Sequence, residues 1–144
     1  DLLQALVDAE VEFVVVGAYA LSFHGAPRAS GDIDVFVNPS VENATRVWRA
    51  LASFGAPVST AGLGVEDFSK PDLVYQIGLP PRRVDILTSI SGVSFAEAWA
   101  SREAATVDGR TVHFIGRDMF VRNKLAAGRP KDLADAARLK RLSR

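Results

Sequence analysis

The chain has 144 residues, of which 48% are hydrophobic and 24% are charged. This balance is typical of a globular protein and argues against disorder, and the length predicts one domain spanning residues 1–144. No apolar run reaches the roughly 18 residues of a membrane span, and no signal peptide is recognisable. The chain has no cysteine. This excludes disulfides and thiolate sites and favours a cytoplasmic protein that does not engage a membrane.

The formal net charge is zero, but the charges are unevenly distributed. Up to Phe114 there are 8 basic and 14 acidic residues, whereas from Gly116 onward there are 9 basic and 3 acidic ones. Two interpretations of the basic C-terminal segment stay open. It is either a solvated helix surface or a surface that meets phosphate groups.

The first part of the chain predicts alternating helices and strands. Apolar residues at helical spacing indicate a helix over residues 1–9, and a β-branched run predicts a strand from Val11 to Val16 that is buried on both faces. Gly17 suits a tight turn into a short helix over residues 18–23. A second apolar strand is expected over residues 31–37.

The rest of the chain predicts an α+β domain. Hairpins and adjacent strands favour a mixed sheet with helices on its faces over a doubly wound parallel sheet. The core is expected over about residues 11–115 and a helical segment over about 117–142, where Phe120 and Leu125 should face the core. The expected elements are a helix at 41–53, a loop at 56–71, strands at 73–79 and 82–87, a helix at 94–101, a hairpin of 105–107 and 111–115, and helices at 117–127 and 131–142.

Three aspartates are the main candidates for chemistry. Asp32 and Asp34 lie two residues apart in a predicted strand, so their side chains share a face about 6.6 Å apart. Asp85 lies among core residues of a later strand, where a carboxylate needs a cation or a hydrogen-bond partner. A divalent metal such as Mg²⁺ or Mn²⁺ fits such hard oxygen ligands. The alternative is a strand end with two solvated aspartates, paired with Arg28.

The order of these motifs resembles the polymerase-β-type nucleotidyltransferase superfamily. That pattern is a small-residue turn after a strand, then Asp-x-Asp on the next strand and a lone aspartate on a later strand. Residues 28–34, Arg-Ala-Ser-Gly-Asp-Ile-Asp, are similar to the Arg-x-[Ser/Thr]-x-Asp-x-Asp form of small bacterial nucleotidyltransferases related to the AbiEii toxins. Residues 119–135, with Lys-Leu-Ala-Ala-Gly-Arg-Pro-Lys-Asp at 124–132, resemble that group's C-terminal segment. The resemblance covers about residues 12–139 and implies a nucleotidyltransferase fold.

The resemblance also implies roles for individual residues. Asp32 and Asp34 would bind two metal ions, and Asp85 would complete the second metal site and act as the candidate base for the incoming hydroxyl. Gly17 and Ala18 would hold the β and γ phosphates through their backbone N–H groups. Ala18 stands where the superfamily usually has glycine or serine, which keeps the backbone donors but removes a hydroxyl.

Five further residues are candidates for contacts with the nucleotide. Arg28 would clamp a phosphate, and Ser30 is either a phosphate contact or a turn residue at the strand edge. The resemblance places Lys124 on the triphosphate, against the alternative of a surface lysine. Arg129 and Lys131 are the better candidates for substrate among the residues that join the last two helices by ion pairs.

The expected activity is therefore Mg²⁺-dependent transfer of a nucleoside monophosphate from a nucleoside triphosphate (NTP) to an acceptor hydroxyl. The acceptor would be a protein, the 3′ end of an RNA or a small molecule. The resemblance alone implies a toxin–antitoxin system with a cognate partner. Two alternatives stay open. One is a degenerate module of the same fold that binds a nucleotide, RNA or partner protein without turnover, and the other is metal-dependent phosphodiester hydrolysis by the same carboxylates.

Overall fold

The computed structural model describes residues 1–26, 31–59, 61–79 and 83–142. These residues form six α-helices and one six-stranded mixed sheet, which confirms the predicted α+β class. The helices are α1 (Leu2–Asp8), α2 (Gly17–Phe23), α3 (Val41–Phe54), α4 (Phe95–Ser101), α5 (Arg117–Ala127) and α6 (Pro130–Leu142). The strands are β1 (Phe13–Val16), β2 (Asp32–Val37), β3 (Val74–Ile77), β4 (Arg83–Leu87), β5 (Glu103–Val107) and β6 (Arg110–Phe114).

The strand order in the sheet is β3-β4-β2-β1-β6-β5. The neighbours β2 and β4 run parallel, as do β1 and β6, and the other neighbouring pairs are antiparallel. All four residues of β1 are buried, as its unbroken run of apolar residues predicts for a central strand. The sheet therefore places β2 and β4, which carry the three aspartates, side by side near its centre.

Helices cover both faces of the sheet. On one face α1 packs against α3, and Trp48 of α3 makes an edge-to-face contact with Phe68, which in turn contacts Tyr75 of β3. On the other face Phe95 of α4 packs edge-to-face against Phe36 of β2. Because side chains alternate along a strand, Phe36 shares its face with Asp32 and Asp34. The carboxylates therefore lie on the face that α4 covers.

The two C-terminal helices are joined by a turn of defined geometry. Gly128 ends α5 in the left-handed conformation with φ of 71°, and Pro130 begins α6, where its missing N–H costs no hydrogen bond. Phe120 is buried as predicted, but the prediction for Leu125 is wrong, since Leu125 is 47% exposed. The inner surface of α5 instead includes Lys124, because α6 packs along that side and brings buried carboxylates with it.

Several element boundaries differ from the predicted ones for local reasons. The first strand begins at Phe13 and not at Val11, because the Val11 N–H still bonds the Leu6 carbonyl at the end of α1. The predicted loop over residues 56–71 contains a 3₁₀ helix, Val65–Ser69, whose start is capped by the Asp67 carboxylate at 2.7 Å from the Gly64 nitrogen. None of the helices in the described ranges is long and apolar enough to cross a membrane.

Candidate metal and nucleotide site

The pairing of β2 with β4 brings the three aspartates to one surface. In this parallel pair Asp34 is in register with Asp85, and Asp32 is in register with Arg83. Side chains of register partners in neighbouring strands project from the same face of a sheet, with the strands about 4.8 Å apart. Asp85 therefore points to the same face as Asp32 and Asp34, as a site shared by the three carboxylates requires.

Asp34 is electrostatically strained in this arrangement. Burial and the neighbouring charge of Asp85 raise the pKa of Asp34 from 3.8 to about 6. A side-chain hydrogen bond with Asp85 and the charge of Asp32 also raise the pKa of Asp34, whereas the positive charge of Lys124 lowers it. The four effects that raise the pKa disfavour a negative charge on Asp34, and the charge of Lys124 favours it. Additional positive charge near Asp34 would therefore favour its ionised form.

Arg83 supplies part of that charge. Its Nη2 lies 2.7 Å from Asp32 Oδ2 and its Nε lies 3.0 Å from Asp85 Oδ1, so one guanidinium bridges two of the three carboxylates. A third contact joins Arg83 Nη2 to Asp85 Oδ2 at 3.3 Å. Arg28 was the partner expected for the aspartates only in the alternative interpretation, and Arg83 was not predicted. The signal that identifies it is its spacing, because a residue two positions before Asp85 in a strand shares its face.

Gly17 connects this cluster to the turn after β1. The antiparallel register pairs Val16 with Asp34, so the residue that follows β1 lies beside the Asp34 side chain. Gly17 is buried with φ of +68°, and a Cβ added there would overlap the Asp34 Oδ2 atom. Ala18, the next residue, is also buried at the start of α2. The small-residue turn and the carboxylates therefore lie next to each other.

The close approach makes Gly17→Ala a sensitive test of the turn. We expect a loss of about 3 kcal/mol in the free energy of unfolding, because the left-handed backbone costs about 1–2 kcal/mol and the overlap with Asp34 adds to it. Gly55→Ala is the matched control, since Gly55 has φ of +88° but nothing within 4 Å of its added Cβ. Chemical denaturation measures both. Equal losses in the two variants would contradict the close approach of Gly17 to Asp34.

A second charged cluster joins α5 and α6 beside the carboxylates. Asp132 is fully buried and accepts hydrogen bonds from Arg129 Nε at 2.6 Å and from Lys124 Nζ at 3.4 Å. Burial raises the pKa of Asp132, but the hydrogen bond from Arg129 and the charge of Lys124 outweigh it and hold the pKa below 3.8. Lys124 is only 7% exposed, so the alternative of a surface lysine is wrong, and its charge reaches Asp34.

The donor set fits a hard divalent cation in charge and in atom type. Asp32, Asp34 and Asp85 offer only carboxylate oxygens, the ligands that Mg²⁺ prefers. Among the residues that the structure describes, no three histidine, cysteine or acidic side chains already form a metal-binding group. The guanidinium of Arg83 lies where a cation shared by Asp32 and Asp85 would be expected. Two of the carboxylates are therefore already paired with a positive group of the protein, the guanidinium of Arg83.

A cavity of about 570 Å³ opens beside Arg83. Its walls include apolar residues that alternate with the aspartates and face the other side of the sheet, such as Ile33 and Val84. Two partly exposed aromatic side chains, Tyr19 and Phe54, also contribute to its lining. The volume lies within the range of small-molecule sites in proteins.

The remaining candidate residues are distributed differently. Arg129 is engaged with Asp132, although its side chain is still 69% exposed, and Lys131 lies exposed on α6. Arg28 and Ser30 lie outside the described residues, so their predicted contacts with phosphate stay predictions.

Searches of protein-family models and of curated proteins gave no match to this chain. The function is therefore inferred from the sequence resemblance and from the geometry of the site.

Proposed function

We propose that the chain is a nucleotidyltransferase of the polymerase-β type that transfers a nucleoside monophosphate from an NTP to an acceptor hydroxyl. One observation carries this proposal: Asp34 and Asp85 are register partners on adjacent parallel strands, with Asp32 on the same face and Gly17 against Asp34. Three carboxylates on one face beside a small-residue turn support the arrangement that the resemblance implies.

The reaction assigns each group a distinct task. The acceptor oxygen attacks the α-phosphorus and forms a new P–O bond, while the bond between that phosphorus and the bridging oxygen to the β-phosphate breaks. Pyrophosphate leaves with the bonding electron pair. Asp85 is the candidate base that receives the proton of the acceptor hydroxyl, and its buried position on β4 fixes it beside Asp34.

Asp32, Asp34 and Asp85 would hold Mg²⁺ or Mn²⁺. When bound, the cation supplies charge neutralisation for the leaving pyrophosphate and lowers the cost of ionising the acceptor. The residues of the chain position the reactants around it. The backbone at Gly17 and Ala18, together with Arg28 and Ser30, would hold the triphosphate.

The C-terminal helices would complete the nucleotide site from the side of α5. Lys124 is buried and acts electrostatically on Asp34, so its charge is available to a phosphate group bound at the carboxylates. Asp132 holds Lys124 in place through its hydrogen bond. Arg129 and Lys131 are exposed on the same segment and are candidates for outer contacts with the phosphates or the acceptor.

The acceptor would be a protein, the 3′ end of an RNA or a small molecule, and the resemblance places such activity in toxin–antitoxin systems with a cognate partner. A second candidate function is a module that binds a nucleotide or partner without turnover. Ala18 favours it, because this position lacks the hydroxyl that the superfamily often uses on the triphosphate. Mg²⁺-dependent nucleotide binding without release of pyrophosphate would identify this second function.

The activity is tested by incubating the protein with each of the four common NTPs, labelled at the α-phosphate, together with Mg²⁺ and a cell lysate. We expect label transfer to one class of acceptor and stoichiometric release of pyrophosphate, both suppressed by a chelator. Separation of protein, RNA and small molecules then identifies the acceptor class. If no nucleotide yields transfer with protein whose fold has been verified by circular dichroism, the transferase proposal fails.

A further inference from the structure

Arg83 pairs with two of the three carboxylates that would bind a divalent cation. Its guanidinium contacts Asp32 at 2.7 Å and Asp85 at 3.0 Å, and the arginine side chain is 28% exposed. Arginine stays protonated at any pH relevant to a protein, so the group cannot lose its charge in place. A cation at the same oxygens and the guanidinium would repel each other at short range.

We propose that Arg83 is an internal counter-ion that competes with the divalent cation for Asp32 and Asp85, so that the cation binds only when Arg83 moves away. This inference rests on the proposed function, since it concerns the metal that the transfer requires. The competition is direct because the oxygens that Arg83 binds, Asp32 Oδ2 and Asp85 Oδ1, are among the few donors that the site offers.

The Arg83 side chain can leave the carboxylates without entering the core. It is 28% exposed, so its guanidinium can move into solvent. A rotation of the Arg83 side chain therefore exchanges two ion pairs for a solvated position.

The exchange favours a cation that arrives with a triphosphate over a free cation. A free cation must displace Arg83 without offering it a new anionic partner. A triphosphate adds negative charge at the point where the guanidinium is released, and the fork of an arginine pairs well with phosphate oxygens. The site is thus expected to bind Mg²⁺ weakly alone and strongly together with a nucleotide.

The test measures binding of Mn²⁺ alone, without nucleotide, from the electron paramagnetic resonance signal of the free ion. If Arg83 leaves the carboxylates about one tenth of the time, Arg83→Gln should bind Mn²⁺ about tenfold more tightly than the wild type. Arg110→Gln is the matched control, because Arg110 also pairs with a carboxylate, Asp8, at 2.8 Å but lies outside the site. Unchanged or weaker binding by a folded Arg83→Gln protein would overturn the inference.

A second measurement uses the wild type and does not depend on the folding of a variant. Phenylglyoxal modifies accessible arginines, and mass spectrometry locates the products. Mg²⁺ should accelerate modification of Arg83 and leave Arg110 unaffected, whereas equal rates at Arg83 with and without Mg²⁺ would reject the competition. Absence of Mn²⁺ binding in both the wild type and Arg83→Gln would also reject it.

These outcomes separate the inference from the proposed function. Tighter Mn²⁺ binding by Arg83→Gln in a protein whose wild type transfers no nucleotide rejects the transferase proposal and supports the role of Arg83. Nucleotide transfer by the wild type, combined with unchanged Mn²⁺ affinity in Arg83→Gln, rejects the role of Arg83 and leaves the transferase proposal intact.

Discussion

Replacing Asp34 by asparagine is expected to abolish nucleotide transfer and at the same time to stabilise the ligand-free protein. A cation held by this carboxylate is worth several kcal/mol to the transition state, so the rate should fall about a thousandfold or more. The upward shift of the Asp34 pKa from 3.8 to about 6 reflects repulsion that asparagine removes. Because Asp34 is partly exposed, we expect a gain of about 1–2 kcal/mol in the free energy of unfolding.

The predicted gain in stability depends on pH in a defined direction. The folded protein holds a proton on Asp34 more tightly than the unfolded chain, so the contribution of Asp34 is most favourable below pH 3.8 and is lost as the pH rises through about 6. The free energy of unfolding of Asp34→Asn should not show that decline. Its advantage over the wild type should therefore be largest above about pH 6. Chemical denaturation at a series of pH values measures both curves.

Asp118→Asn is the matched control, because the Asp118 side chain is 93% exposed on α5 and lies outside the site. It should retain transfer and unfold at the same denaturant concentration as the wild type. An Asp34→Asn protein that is less stable than the wild type above neutral pH would contradict the assigned repulsion between Asp34 and Asp85.

Asp132→Asn should destabilise the protein by about 3 kcal/mol, because it leaves the buried ammonium of Lys124 without its carboxylate partner. Asp132 is fully buried and binds both Lys124 and Arg129, so the substitution retains the volume of the side chain, removes its charge and replaces one acceptor oxygen by an N–H donor. Thermal and chemical unfolding measure the loss. Nucleotide transfer should fall as well, because Asp132 positions Lys124, whose charge acts on Asp34.

Asp8→Asn is the matched control for this second prediction. Asp8 also accepts two hydrogen bonds from an arginine, Arg110, but on the surface, where water replaces them at little cost.

The pKa of Asp132 is lowered, so its stabilising contribution is present above pH 3.8 and disappears as the pH falls through the folded-state pKa. The difference between the wild type and Asp132→Asn should therefore shrink in acid. Equal losses in the Asp132 and Asp8 variants would contradict the buried role of Asp132.

The positions of the aspartates could be predicted because each depends on a local rule. Alternation along β2 puts Asp32 and Asp34 on one face, and an isolated charge among core residues marks Asp85 as a residue that needs a paired group or a cation. The pairing of β2 with β4 is a long-range choice. No local pattern states which residue of β4 lies opposite Asp34, and that register is what brings the carboxylates together.

The missed features depend on tertiary contacts. Arg83 has the spacing of a site residue, but a surface arginine at a strand start has the same local sequence, and only the neighbouring strand gives it Asp32 as a partner. Helical periodicity predicted that Leu125 faces the core, whereas the structure buries Lys124. The reason lies in α6, whose buried Asp132 compensates the charge of Lys124 and makes its burial favourable.

The antiparallel register of β1 with β2 determines which changes in chain length the protein tolerates. Val16 pairs with Asp34, so the turn at Gly17 and the carboxylates are held in one fixed alignment. Inserting a single residue within β1 or β2 would shift the alignment of Gly17 with Asp34 by about 3.3 Å and turn the side chains beyond the insertion to the opposite face. The same insertion after α2, before β2 begins, would leave the alignment intact. Length variation among functional relatives should therefore be absent from the two strands, and between α2 and β2 it should fall before Arg28, since residues 28–34 form the motif.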